Sequence, residues 1–396
     1  MRKLISFTAI LLSALLLISG CKRKEPVSPP SAGSREPTPP SASTTEPTQE
    51  KIDSAAIVRK AVASQLNKKP DELTMEDYVK ITKLSLTGTD VSDLTLIKEL
   101  TGLQSLDLSG TTVSDLTPTK ALINLQVLNL TNTQVSDLTP IKAFINLQVL
   151  NLTGTQVSDL TLIKELKELK ELSFSDTKVS NLTPVKALNN LQQLGLEGTA
   201  VSDLTPLEGL INLKELHLAF TQVSDLTPIK ELTGLQSLDL SGTTVSDITP
   251  LKELKGLKKL GLYDTAVSDL TPIKELKGLQ QLYLSSKAFS DLTPIKGLKG
   301  LQQLYLSSTA VSDLTPIKEL KGLQQLYLSK TKVSDITLLK GLINLKELHL
   351  AYTQVSDLKP LKALIGLQEL WLTGTKVSDE QVADLEKALP ELTIHR

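Results

Sequence analysis

An α/β solenoid is the fold class this sequence predicts, an arc of stacked turns with a parallel β-sheet on its concave side. Two observations carry the prediction. From Ile81 to Leu389 the residues repeat every 22 positions without one insertion or deletion, and a turn reads LxxLxLxxTxVSDLTPIKELKG. Apolar residues open the turns at Ile81, Leu103, Leu125, Leu147 and so on through Leu367. Inside the turn, LxxLxL alternates with period two, the pattern of a strand buried on one face. A fixed period of this length means that each turn touches mainly its neighbours. About 14 such turns make one long regular surface, so function becomes a question of which face is used.

The first segment, 1–21, reads as a targeting signal. Arg2 and Lys3 precede an apolar stretch from Leu4 to Ile18, too short to span a membrane comfortably, and Ile18-Ser19-Gly20-Cys21 follows. This resembles a bacterial lipoprotein signal, in which the cysteine is lipidated and becomes the mature N-terminus. The resemblance implies an exported, membrane-anchored protein with the lipid on Cys21, at the outer membrane or cell surface. An ordinary secretory signal with an incidental cysteine is the alternative. Cys21 is the single cysteine, which excludes internal disulfides and Cys-rich metal sites.

Residues 22–50 are rich in Pro, Ser, Thr and Glu and poor in large apolar groups, so they cannot bury enough surface to offset the entropy of folding. They read as a tether that would span roughly 30 Å as a coil and about 90 Å if extended. Residues 51–80 are a helical N-terminal cap. Ile52, Ala56, Ala61, Val62 and Leu66 are helix-spaced, and Thr74-Met75-Glu76-Asp77 starts a short second helix like a capping box. The repeats occupy 81–376. At 377–396 the pattern changes to a helix start at Ser378-Asp379-Glu380-Gln381 with Val382, Leu385 and Leu389 on one face. Leu389, Leu392 and Ile394 then restore the LxxLxL spacing as a partial strand, and no further domain or wall anchor is expected.

One turn, Leu301 to Gly322, explains the rest. Leu301, Leu304 and Leu306 point inward while Gln302, Gln303 and Tyr305 point out, and Val311, Leu314, Ile317 and Leu320 close the interior. Thr315-Pro316 fits an N-cap followed by proline at the first helical position, which places a single helical or 3₁₀ turn on the convex side. Asp313 recurs at nearly every turn from Asp93 to Asp379, with Asn181 the exception. Capping of backbone N–H groups explains this column more simply than calcium binding.

The 22-residue turn, with LxxLxL followed by xxTxVSDL and a convex TPIKELKG, resembles the leucine-rich repeat of the internalin type. The resemblance covers the repeats and the helical N-cap. It implies a horseshoe with a helical cap at each end, and surface proteins that grip another protein with the concave sheet. The family places Asn at the ninth position of the turn, whereas this chain has Thr, as at Thr89, Thr199 and Thr309, and Lys287 once. A hydroxyl can do part of the Asn work. Lys287 bends outward instead and leaves Ser285 to Phe289 as a local irregularity. Several internalins help bacteria enter host cells, but the immunoglobulin-like and wall-anchoring parts that go with that role are not expected from this sequence, so invasion is not what the resemblance implies here.

The fifth position of each turn points out from mid-strand. It reads Ser85, Asp107, Asn129, Asn151, Ser173, Gly195, His217, Asp239 and Gly261, and then Tyr283, Tyr305, Tyr327, His349 and Trp371. The last five are rings in a stripe of roughly 20 Å at the strand spacing. Tyr263 and Tyr352 take flanking outward positions. Tyr and Trp bury much area at low entropy cost, so these seven residues are the candidate partner-binding set, with protein as the ligand. Gln280, Gln302 and Gln324, with Gln281, Gln303 and Gln325, flank the rings and keep a glycan ligand open. Cross-strand pairs that merely stabilise the sheet are the bland alternative, and would make the protein an envelope spacer. Glu99 to Asp115 is repeated as Glu231 to Asp247, and Gly209 to Ala219 as Gly341 to Ala351, so copying also contributes to surface patterns.

The remaining surfaces suggest less. Net charge is −1 with no strongly basic patch, so nucleic acid is an unexpected partner. Lys98, Lys230, Lys252, Lys274 and Lys318 form a convex column, each followed by Glu, which reads as a solvated ridge. His217 and Asp239 are neighbours with Ser237 and Ser241 close by, but an open sheet offers neither a water-free pocket nor an oxyanion site. The expectation is no catalysis, no cofactor and no metal.

Overall fold

The computed structural model describes residues 53–396. Cys21, the signal at 1–21 and the tether at 22–50 lie outside the described residues. Helix α1 (Ser54–Leu66) starts at Asp53, whose carboxylate accepts the Ala56 N–H at 3.0 Å, and it buries Val58 and Val62 one helical turn apart. Helix α2 (Met75–Lys80) begins with the capping box read from the sequence: Asp77 accepts from the N–H and the hydroxyl of Thr74 at 2.9 and 3.0 Å. Ser54 accepts the backbone N–H groups of Ser92 and Asp93, tying α1 to the first turn. These helices cover the apolar end that a solenoid otherwise leaves open.

Fifteen parallel strands follow in sequence order, from β1 (Lys83–Ser85), one per turn, to β14 (Glu369–Trp371) and finally β15 (Thr393–His395). From β1 to β14 register is constant: Leu84 pairs with Leu106, and Leu348 with Leu370. Each strand from β1 to β14 turns a leucine into a continuous buried column, while residues on either side face outward. Val311, Leu314, Ile317 and Leu320 are buried, as the pattern required.

The convex return is a short 3₁₀ helix, Thr315–Ile317 in the representative turn. Its cap is not Thr315, which is already the first helical residue. Asp313, two residues upstream, accepts the Thr315 N–H at 2.8 Å. The same bond recurs down the column, with Asn181 accepting from Thr183 at 2.9 Å. The ninth-position hydroxyl donates to the carbonyl three residues back, Thr309 to Leu306 at 2.7 Å, and is buried. Lys287 is exposed, and β9 (Lys259–Tyr263) and β10 (Gln281–Ser285) are lengthened to five residues next to it.

The residue before that Thr adopts left-handed φ in turn after turn, from Gly88 at 65° to Gly374 at 68°. Phe220 and Tyr352, both at 57°, share this column. A bulky side chain there costs about 1–2 kcal/mol, so the turn geometry overrides the residue's own preference.

The C-terminal cap corrects one sequence reading. Helix α3 (Asp379–Ala388) is capped by Ser378 and buries Val382 and Leu385. The LxxLxL spacing had set Thr393 opposite Trp371. In the structure His395 pairs with Trp371 and Ile394 with Leu370, a shift of two residues. A helix advances only about 1.5 Å per residue, so replacing the 3₁₀ return by α3 uses more chain before the next strand can begin.

Candidate functional site

Period-two alternation and constant register put the fifth-position side chains directly above one another on the concave face. Tyr283, Tyr305, Tyr327, His349 and Trp371 therefore stack as parallel rings. Successive centroids lie 4.3, 4.1, 4.1 and 3.7 Å apart, with interplanar angles between 9° and 20°. A sixth ring, His395, continues the stack at 4.5 Å from Trp371. The sequence reading missed it because of the two-residue shift. The alternation Thr393-Ile394-His395, with Ile394 inward, was the available signal.

Stacking closes the ring faces and leaves their edges and polar tips to solvent. The Tyr327 hydroxyl donates to Glu347 at 2.8 Å, and the Tyr283 hydroxyl to Gln281 and Gln303 at 3.3 and 3.4 Å. Burial raises the pKa of both Tyr283 and Tyr327, helped by Tyr305 at the first and by the bond to Glu347 and then Tyr305 at the second, so both hydroxyls stay protonated. His395 Nε2 meets Glu369 at 2.6 Å. His349, between Tyr327 and Trp371, has its pKa pushed down to about 4 by burial and then by His395, and its Nε2 is buried without a hydrogen-bond partner. It is a neutral ring at physiological pH.

Tyr263 and Tyr352 do not join the stack. They lie on the rim where strands run into left-handed turns, 40% and 57% exposed. Lys330 Nζ sits 5.9 Å from the Tyr352 ring centroid. Phe220 is the equivalent rim residue six turns earlier, also exposed. Phe220 and Tyr352 each fill the space that a Cβ at Gly242 or Gly374 would need. Sequence reasoning passed over Phe220 because the left-handed column mixes Gly with polar, charged and aromatic residues and shows no pattern.

The middle of the face is polar. His217 lies 3.6 Å from Glu215 and 3.9 Å from Glu197, while Asp239 accepts the backbone N–H of Ser241 at 3.0 Å. The His–Asp pair considered from the sequence is thus a His–Glu pair. Burial works against the imidazolium, but the Glu215 bond and the charges of Glu197 and Asp239 outweigh it and raise the His217 pKa. Nearer the N-terminus, Asp107, Asn129 and Asn151 each accept a backbone N–H two residues on, at 2.9, 3.1 and 3.0 Å, spending their polarity locally.

The family pattern "Leucine Rich repeats (2 copies)" matches residues 123–165 and 211–253. No curated protein matches the chain. Among solved structures, an internalin (inlF) from Listeria monocytogenes is similar, with TM-score 0.66 and 26% identity, over 86% of this chain and 94% of that one. A leucine-rich repeat protein of Leptospira interrogans gives TM-score 0.67 at 24% identity, over 81% and 97% of the two chains. The functional domain of InlJ from Listeria monocytogenes gives 0.60 at 17%, over 79% and 78%. The last two speak to fold alone. In its repeat and in the course of its sheet, the chain has the leucine-rich repeat fold seen in internalin-type proteins.

Proposed function

We propose that this is a non-catalytic recognition protein that binds a partner protein through the C-terminal third of its concave sheet. The observation that carries the reading is the six-ring stack on an open face. Sugars bind aromatic side chains by lying against a ring face. Within this stack the faces are taken by neighbouring rings, and what solvent meets is a ridge of edges, hydroxyls and amides. Such a ridge suits the packed apolar and polar groups of a protein surface. The exposed rim rings Tyr263 and Tyr352 keep a glycan as the second reading.

The test is capture from envelope and host-surface extracts by wild type and by a Tyr283/Tyr305/Tyr327→Ser variant matched for thermal stability. A protein held by the first and lost by the second supports the proposal. Equal capture moves the site elsewhere, and competition by free sugars favours the glycan. Surface display through a lipid on Cys21, with 22–50 as spacer, belongs to the same proposal and rests on the signal-like N-terminus. No helix among the described residues is long and apolar enough to cross a membrane. A Cys21→Ser chain is expected to move from the membrane to the soluble fraction.

A further inference from the structure

Resting on that reading, we infer that the partner is a basic protein segment. It lies along the solenoid axis, with its cations over the carboxylates at the middle of the concave face and its apolar groups on the ring edges. The chain as a whole is nearly neutral, at −1. The mid-line of its concave face is not. From β5 (Glu171–Ser173) to β14, the outward positions within the strands carry Glu171, Glu215, Asp239, Glu347 and Glu369 against Lys259, while Lys170, Lys214, Lys258 and Lys346 stand at the edge of the face, one residue before their strands. Glu197 adds a further carboxylate just after its strand. The convex ridge, by contrast, alternates Lys with Glu.

The carboxylates are only partly satisfied from within. His217 serves Glu197 and Glu215, and Ser175 also bonds Glu197. Glu171 and Glu215 are half-buried on the same face two strands apart, with the neutral Gln193 between them, its amide donating to Glu215 at 3.4 Å. Half-buried carboxylates that repel one another gain when a cation arrives. Burial and the nearby Glu215 already disfavour the charged form of Glu171.

Lys259 illustrates the geometry. It stands at the junction of the carboxylate zone and the ring stack, its ammonium 5.6 Å from the Tyr283 centroid, over the ring face that Gly261 leaves without a stacking neighbour. A cation fits there beside the rings. The footprint from β5 to β15 covers ten strand spacings, roughly 48 Å. A polyanion or an acidic surface would meet the same carboxylates as repulsion.

The test uses emission from Trp371, the one tryptophan of the chain, which lies in the stack and reports on it directly. The full-length chain is titrated with a short peptide alternating Arg and Leu, and with its Gln/Leu and Glu/Leu analogues. The expected result is saturable binding of the Arg/Leu peptide alone, weakened by salt. A Glu171→Gln/Glu215→Gln variant should weaken it roughly tenfold, and Lys259→Gln should strengthen it. Thermal unfolding of each variant confirms its fold. Equal binding of the Gln/Leu peptide, or indifference to the Glu171/Glu215 change, overturns the charge assignment and leaves the aromatic face standing. If no peptide perturbs Trp371, the concave recognition reading fails and this inference falls with it.

Discussion

His217 and His349 occupy the same place in two copies of one eleven-residue stretch, Gly209 to Ala219 and Gly341 to Ala351, yet their pKa values move in opposite directions. Neighbours in the next turns decide: carboxylates around the first, rings around the second. An NMR titration should find His217 above the ordinary histidine value of 6.5 and His349 near 4. For His349 the unfolded chain binds a proton that the folded chain refuses. Its contribution therefore declines as pH falls from 6.5 towards 4 and then levels off. For His217 the extra stability is complete below the unfolded value and is lost as pH rises through the raised one. Replacing His349 with Phe keeps a ring in the stack, so melting temperature followed against pH should lose the first decline and keep the second. Tyr305→Ala removes two ring contacts and should cost about 1–3 kcal/mol in chemical denaturation while the solenoid stays folded.

At the level of the element, strand and 3₁₀ return are each held by one recurring side-chain bond. Thr309→Val keeps shape but removes the hydroxyl bond and leaves the Leu306 carbonyl with the backbone N–H of residue 309 alone, and is expected to cost about 1 kcal/mol by urea unfolding. The Asp caps sit on the surface. Hydrogen bonds from the hydroxyl and N–H of Thr315 hold Asp313 below the ordinary carboxylate pKa, and the threonines after Asp269 and Asp335 do the same there. Their support is complete above about pH 4 and fades as pH drops below it, so melting temperature should fall together with loss of the caps. Strands, cap helices and the ring column were legible in the sequence because apolar period and side-chain direction follow directly from backbone geometry. The left-handed column was not, because Gly, Asn, Asp, Ser, Lys, Phe and Tyr all occupy it. Neither was the register of β15, because the length of chain taken up by α3 is a matter of helix rise and not of apolar spacing.

Across the whole molecule, stability is close to a sum of turn and interface contributions, so the ends matter most. Leu385 on α3 is fully buried against the last turn, and Leu385→Ala should cost about 2–5 kcal/mol and unravel the C-terminal turns first, seen as faster amide exchange there. That region also carries His395, Trp371 and His349, so fraying would dismantle the candidate site before the N-terminal turns respond. The unbroken 22-residue register has a further consequence. Gain or loss of a whole turn would slide every later side chain by one strand spacing without rotating it to another face. The separation between the central carboxylates and the ring ridge is therefore graduated like a ruler, adjustable only in steps of about 4.8 Å. A partner that spans both zones would have to match a whole number of those steps.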